Sequence, residues 1–139
     1  MMLRIALAGA CAGLVANVTG YVITGRVFHA FQAKTPGTWR AVESWSHYMA
    51  ATALRIAACI GIALVYNAFR SAWPTFDGHP ILSGVEFGLI LWSVSILPVV
   101  LEAALFVNWH RGFVLGLLLD WMVVCMLASS AAALAVRIA

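Results

Sequence analysis

Apolar residues fall in four long runs, and short polar segments separate them. The runs cover positions 3–25, 47–69, 83–107 and 112–136. A helix needs about 20 apolar residues to cross the hydrocarbon of a bilayer, and each run meets that length. After the first run, Arg26, His29, Gln32 and Lys34 break the pattern, and Thr35-Pro36-Gly37 signals a loop. Positions 38–46 then place Trp39, Val42 and Trp45 on one side and Arg40 and Glu43 on the other. That alternation predicts an amphipathic helix at the headgroup level, leading into the second run. Arg70, Trp73-Pro74 and Asp77-Gly78 mark the next turn. Pro80 suits a first helical turn, and Ser83-x-x-Glu86 has capping-box spacing, so the third helix can begin at either point. Asn108-Trp109-His110-Arg111 is a tight connection to the fourth run. The prediction is an all-α, four-helix transmembrane bundle in one domain, up-down-up-down, with an interfacial amphipathic helix before the second span.

Composition narrows the function classes. Of 139 residues, 64% are apolar and 9% charged. An ordinary soluble domain carries about 25% charged residues. A soluble enzyme, a disordered tail and a nucleic-acid-binding module are therefore excluded. The net charge of +3 rests on only eight Lys and Arg, so it reads as topology and headgroup contact. Arg26, Lys34, Arg40 and Arg111 flank the first and third loops, whereas Arg4, Arg70 and Arg137 flank the other side. This small bias points to both termini outside and also admits dual insertion. Trp39, Trp45, Trp73 and Trp109 sit at span ends like an aromatic belt, while Trp92 and Trp121 lie mid-span and are expected to pack. The N-terminus imitates a signal peptide, with Cys11 after Ala8-Gly9-Ala10, but apolar sequence continues to Ile23. An uncleaved first span is expected. Cys11, Cys59 and Cys125 occupy three different runs with no C-x-x-C, which predicts buried free thiols.

Small residues recur with a period of four, as helices in close contact require. The first span has Gly9, Gly13, Asn17 and then Gly20; the fourth has Gly112, Gly116 and then Asp120. Asn17 and Asp120 continue the glycine faces and are expected to point into the bundle. In the third span the same face carries Gly84, Gly88, Leu91, Ser95, Pro98 and Glu102, and Pro98 predicts a kink that opens it. The second span contributes Arg55, near Tyr48, Thr52 and Cys59. An arginine in hydrocarbon is destabilising by at least about 3 kcal/mol and needs a partner.

Depth places that partner. At ~1.5 Å per residue, Arg55 lies about 12 Å in from the first-loop side, and Asp120 about 12 to 15 Å in from the same side. Asn17 lies roughly 10 Å in and Glu102 about 5 to 8 Å. An Arg55–Asp120 pair is predicted, hydrogen-bonded by Asn17, with Glu102 nearer the mouth. These four residues form the expected polar pocket. His47, Tyr48, Asn108 and His110 are expected at its mouth. Glu86 sits at the opposite end and is explained by the capping box. His29, His47, His110 and Glu102 are metal-ligand types on one side of the membrane. They lack H-x-x-x-H or E-x-x-H spacing, so no cofactor is predicted, and a metal or haem site is the lesser alternative. No P-loop, G-x-S-x-G, H-E-x-x-H or dinucleotide fingerprint occurs, so no catalytic residue is assigned.

Asn17-Val18-Thr19-Gly20-Tyr21, then Phe28, then Gly88 to Pro98 and a glycine-rich fourth span resemble a group of small four-helix bacterial membrane proteins of unknown function. The resemblance implies the fold and a location in the bacterial inner membrane, and no activity. Glu86 and Asp120 do not match the early first-span glutamate of small multidrug transporters. The sequence thus leads to a membrane protein that binds or transports a small solute through a polar pocket. The rival readings are an accessory subunit of a larger membrane complex and a membrane-embedded enzyme. Expected partners are the lipid bilayer and either further copies of the chain or a larger complex, with no nucleic acid.

Overall fold

The computed structural model describes residues 1–39, 44–72 and 78–138. Arg40, Val42, Glu43, Trp73, Pro74 and Asp77 lie outside the described residues, and with them most of the polar side of the expected interfacial helix. Among the described residues every regular element is helical. The helices are α1 (Met2–Val22), α2 (His29–Gln32), α3 (Trp45–Phe69), α4 (Pro80–Leu91), α5 (Leu97–Phe106) and α6 (Arg111–Arg137). π-helical turns extend α1 over Ile23–Val27 and join α4 to α5 over Trp92–Ile96. Four stretches are long and apolar enough to cross a membrane: Met2–Val27, Trp45–Ala72, Pro80–Phe106 and Arg111–Arg137.

Local chemistry sets the helix ends. Pro80 is the first residue of α4, where a missing N–H leaves no helical bond unmade. Ser83 consequently lies inside the helix, and its buried hydroxyl meets the Tyr66 hydroxyl at 3.1 Å instead of forming a capping box. Ser44 precedes α3, and its backbone N–H donates to His47 Nδ1 at 3.3 Å. His110 caps α6 by accepting from the Gly112 N–H at 3.1 Å.

The fourth span is the centre of the bundle. Nine of its 27 residues are buried, against five of 27 in the third span. α6 packs on α1, α3 and α4, and α1 packs on α3. Glycine permits each close approach. A Cβ on Gly9 would stand 2.8 Å from Ile60 Cα, and one on Gly13 2.8 Å from Ile56 Cα, so α1 lies backbone-to-backbone on α3. Gly84 and Gly88 do the same for α4 on α6, at Ser130 and Cys125. The buried Ser129 hydroxyl seals that seam by donating to the Gly84 carbonyl at 2.7 Å.

The glycines of the fourth span serve differently from the expected helix contact. Gly112 and Gly116 face the rings of Phe31 and Phe28, which follow the first span. The π-turn at Ile23–Val27 ends in a bond from the Phe28 N–H to the Ile23 carbonyl, five residues back. The chain is thereby re-aimed so that Phe28 and Phe31 drop onto α6. His110 stacks on Phe31 with ring centroids 4.8 Å apart.

The second π-turn answers the proline. Pro98 has no N–H for the Val94 carbonyl, and its ring crowds that turn. The helix widens just before it, and the Leu97 N–H reaches the Trp92 carbonyl. The Ser95 hydroxyl bonds to the Leu91 carbonyl, and the Trp92 indole N–H donates across to Leu118 O at 3.0 Å. The widened turn holds one residue more than an α-turn, which rotates everything beyond it by about 100°. Val100 is buried beyond the turn, while Pro98 and Glu102 are exposed. The cysteines also split: Cys59 and Cys125 are buried, but Cys11 is exposed on the outside of α1.

These contacts make Gly88 a test of the α4–α6 seam. A Cβ there would stand 2.7 Å from both Cys125 O and Ser129 Oγ. Gly88→Val should lower stability by about 1–3 kcal/mol, as overpacking does. Gly61→Val, at a helical glycine with nothing within 4 Å of an added Cβ, should not. Thermal unfolding of both variants in detergent compares them.

Candidate functional site

Three spans meet at one ion pair. Arg55 projects from the middle of α3 and Asp120 from α6. Arg55 Nη1 donates to Asp120 Oδ1 at 2.9 Å, and Nη2 to Oδ2 at 2.6 Å. The two parallel bonds match the planar guanidinium to the planar carboxylate. Arg55 Nη1 also donates to the Ala16 carbonyl of α1 at 3.0 Å. Asp120 is fully buried, and the Arg55 side chain is 18% exposed. The guanidinium lies over the Trp121 ring, 5.7 Å from its centroid.

Gly20 makes room for this arrangement. An added Cβ would collide with Arg55 Nη1 and stand 3.1 Å from Asp120 Oδ1. Successive i+3 and i+4 positions along α1 therefore have distinct tasks. Gly9 and Gly13 admit the α3 backbone, Ala16 offers its carbonyl, and Gly20 admits the guanidinium. Sequence periodicity marks Gly20 as a small residue, but only the guanidinium above it explains why.

A cavity of about 530 Å³ lies beside the pair, lined by residues of α1, its π-turn, α3 and α6. Arg55 and Trp121 form its inner end. Asn17, Tyr21, Thr24, Tyr48 and Thr52 supply its polar groups, and Gly25, Ala51 and Leu54 its apolar ones. Asn17 reaches the cavity but does not bond to the ion pair; its Nδ2 donates to the Gly13 carbonyl of its own helix at 2.8 Å. The Thr24 hydroxyl likewise donates to the Gly20 carbonyl at 2.7 Å. Tyr21 Oη accepts from Arg26 Nε at 2.9 Å, which holds the ring at the rim.

Several residues expected here lie elsewhere. Glu102 is exposed on α5 and does not line the cavity: no residue of the third span does, and the π-turn has in addition turned Glu102 away from the buried side that Val100 takes. Of the expected mouth residues, Tyr48 lines the cavity, whereas His47, Asn108 and His110 do not. His47 faces Ser44, His110 caps α6 and stacks on Phe31, and the Asn108 carbonyl accepts from Thr38 Oγ1 at 3.2 Å. His29 is exposed at the start of α2. Among the described residues no three His, Cys, Asp or Glu side chains group as metal ligands, so His29, His47, His110 and Glu102 do not form a site.

Tyr21, Thr24, Thr52 and Trp121 line the cavity without having been singled out as site residues from the sequence. Two signals pointed to them. Tyr21 and Thr24 lie one and two turns past Asn17, and Trp121 adjoins Asp120.

The pair predicts a specific stability pattern. Asp120→Leu leaves Arg55 charged among apolar neighbours and should lower stability by about 3–5 kcal/mol. Gly20→Val, which displaces the guanidinium, should act in the same direction. The double variant Arg55→Leu with Asp120→Leu should recover most of the loss. Thermal unfolding in detergent measures all three, and a wild-type melting temperature for Asp120→Leu would remove the structural role. Comparison with protein-family models, characterised proteins and solved structures finds no match for this chain.

Proposed function

We propose that this chain is a small polytopic membrane protein that binds or moves a small solute through the cavity between its first and second spans. The observation that carries this reading is a cavity of about 530 Å³ with a buried ion pair at its inner end. That volume lies within the usual range of about 300–1,000 Å³ for small-molecule sites. The cavity also combines apolar walls with a few placed polar groups, as such sites do. An ion pair that served only to lock helices would need no open space beside it.

The reading has a topological side. Gly9 opposes Ile60 and Gly13 opposes Ile56, while Gly84 opposes Ser130 and Gly88 opposes Cys125. These reversed pairings support an up-down-up-down bundle, with the first and third loops on one side. The connection before α3 would lie on that side, at the headgroups; Trp39 and Ser44 are extended in it, so no continuous helix spans 38–46. The bacterial inner membrane is the proposed location.

The accessory-subunit reading keeps one observation in its favour. Beyond its contacts with α6, the third span leaves Leu101, Glu102, Leu105 and Phe106 exposed, a face for another chain, either a further copy or a larger complex.

Native mass spectrometry of the full chain extracted from its own membrane distinguishes the two. A bound small molecule in the wild type, lost in Ala51→Phe, is expected from the cavity reading. Ala51 is exposed at the rim, so a phenylalanine there should block entry without disturbing the core. A ligand-free wild type with a stoichiometric foreign chain would overturn the cavity reading in favour of the subunit.

A further inference from the structure

The cavity opens sideways. Tyr21, Tyr48 and Leu54 line it, yet they are 59%, 54% and 71% exposed. They stand on the outer surface of α1 and α3, so the gap between those helices is the mouth. Depth shows what that mouth faces. The second span runs Trp45–Ala72, which puts Arg55 about 5 Å and Tyr48 about 16 Å from its middle at ~1.5 Å per residue. The hydrocarbon half-thickness is about 15 Å, so nearly the whole mouth lies at hydrocarbon depth. A molecule entering there comes from the lipid phase.

The charges at the inner end select the entering group. Arg55 has five N–H donors. Three are engaged, two by Asp120 and one by Ala16 O. The remaining two can serve an acceptor in the cavity. Asp120 already neutralises the guanidinium through two short bonds. An anionic head would therefore leave an uncompensated negative charge at hydrocarbon depth, which is strongly unfavourable. An uncharged carbonyl accepts the same N–H groups without that penalty. Trp121, Tyr21 and Tyr48 line the cavity with aromatic carbon around a ring-sized head, with Arg55 over the Trp121 ring and Arg26 over that of Tyr21.

We propose that the cavity takes a membrane-dissolved amphiphile with an uncharged carbonyl head, held by the free N–H groups of Arg55 and entering between the first and second spans. A lipid-soluble quinone has this chemistry. The inference rests on the cavity reading above and narrows its ligand.

The test uses the full chain in phosphatidylcholine nanodiscs, titrated with a decyl-substituted benzoquinone while tryptophan fluorescence is read. Collisional quenching in the bilayer rises without saturating, whereas occupancy of the cavity saturates. A saturable component is expected in the wild type. It should shrink in Trp121→Phe, which removes the tryptophan that lines the cavity and leaves the other five to report the bilayer, and shift at least tenfold to higher quinone in Ala51→Phe. Decyl sulfate, with the same tail length and a head that stays anionic, should not displace the quinone. Displacement by decyl sulfate would overturn the uncharged head. Unsaturable quenching that is identical in all three proteins would overturn entry from the lipid. If native mass spectrometry still shows a ligand lost in Ala51→Phe, the cavity reading survives either failure.

Discussion

An ion pair buried among apolar helices fixes how the rest of the bundle can pack around it. Each charge alone would be strongly unfavourable at that depth, and the attraction offsets this only where the geometry is good. Arg55 and Asp120 meet that demand with two parallel bonds and a third to a backbone carbonyl. The consequence is positional. α3 and α6 are held in one register, and α1 must bring Ala16 and Gly20 to the guanidinium. A helix carrying a side chain at Gly20 could not sit there. The glycine face of the first span is therefore one continuous surface with two functions, backbone contact in one half and charge accommodation in the other.

The fourth span gathers these constraints. It carries Asp120, receives Phe28 and Phe31 on Gly116 and Gly112, and takes the backbone of α4 along its far half. Both π-turns serve this helix. The first delivers two aromatic rings to it. The second brings Trp92 to the Leu118 carbonyl and turns Val100 inward. Widened turns of this kind re-aim side chains without breaking the helix, and here they do so on both sides of the same partner.

Much of this was legible in the residues. Four apolar runs with proline, glycine and polar breaks define the four helices. An arginine and an aspartate at equal depth imply a partner for each, because neither is tolerable alone. Helical periodicity was less reliable where the helix is not α. A strict 3.6-residue count carries the inward face of the third span through Pro98 to Glu102, but the extra residue at Trp92–Ile96 passes that face to Val100. Proline signals a disturbed turn, but not whether the helix bends or widens. The histidines were misplaced for another reason. Depth arithmetic shows which end of a span a residue occupies, but not which way it faces. His47 and His110 share the predicted side with the cavity, yet they are engaged by helix caps and by Phe31.

The cavity is a consequence of the same pair. Arg55 leans toward Asp120 and Ala16, so its side chain crosses the α1–α3 seam instead of filling it. Beyond that point the spacing of small residues lapses. Tyr21 and Tyr48 take outward positions, and Gly25 and Ala51 leave space behind them. Toward the other end, Gly9 and Gly13 close the same seam to backbone contact. The two helices thus touch at one end and part at the other, with the ion pair at the division. A seam that opens only on the arginine side, between two stretches long and apolar enough to cross a membrane, joins a polar anchor to an apolar entrance. That combination suits a molecule that is itself polar at one end and apolar along the rest.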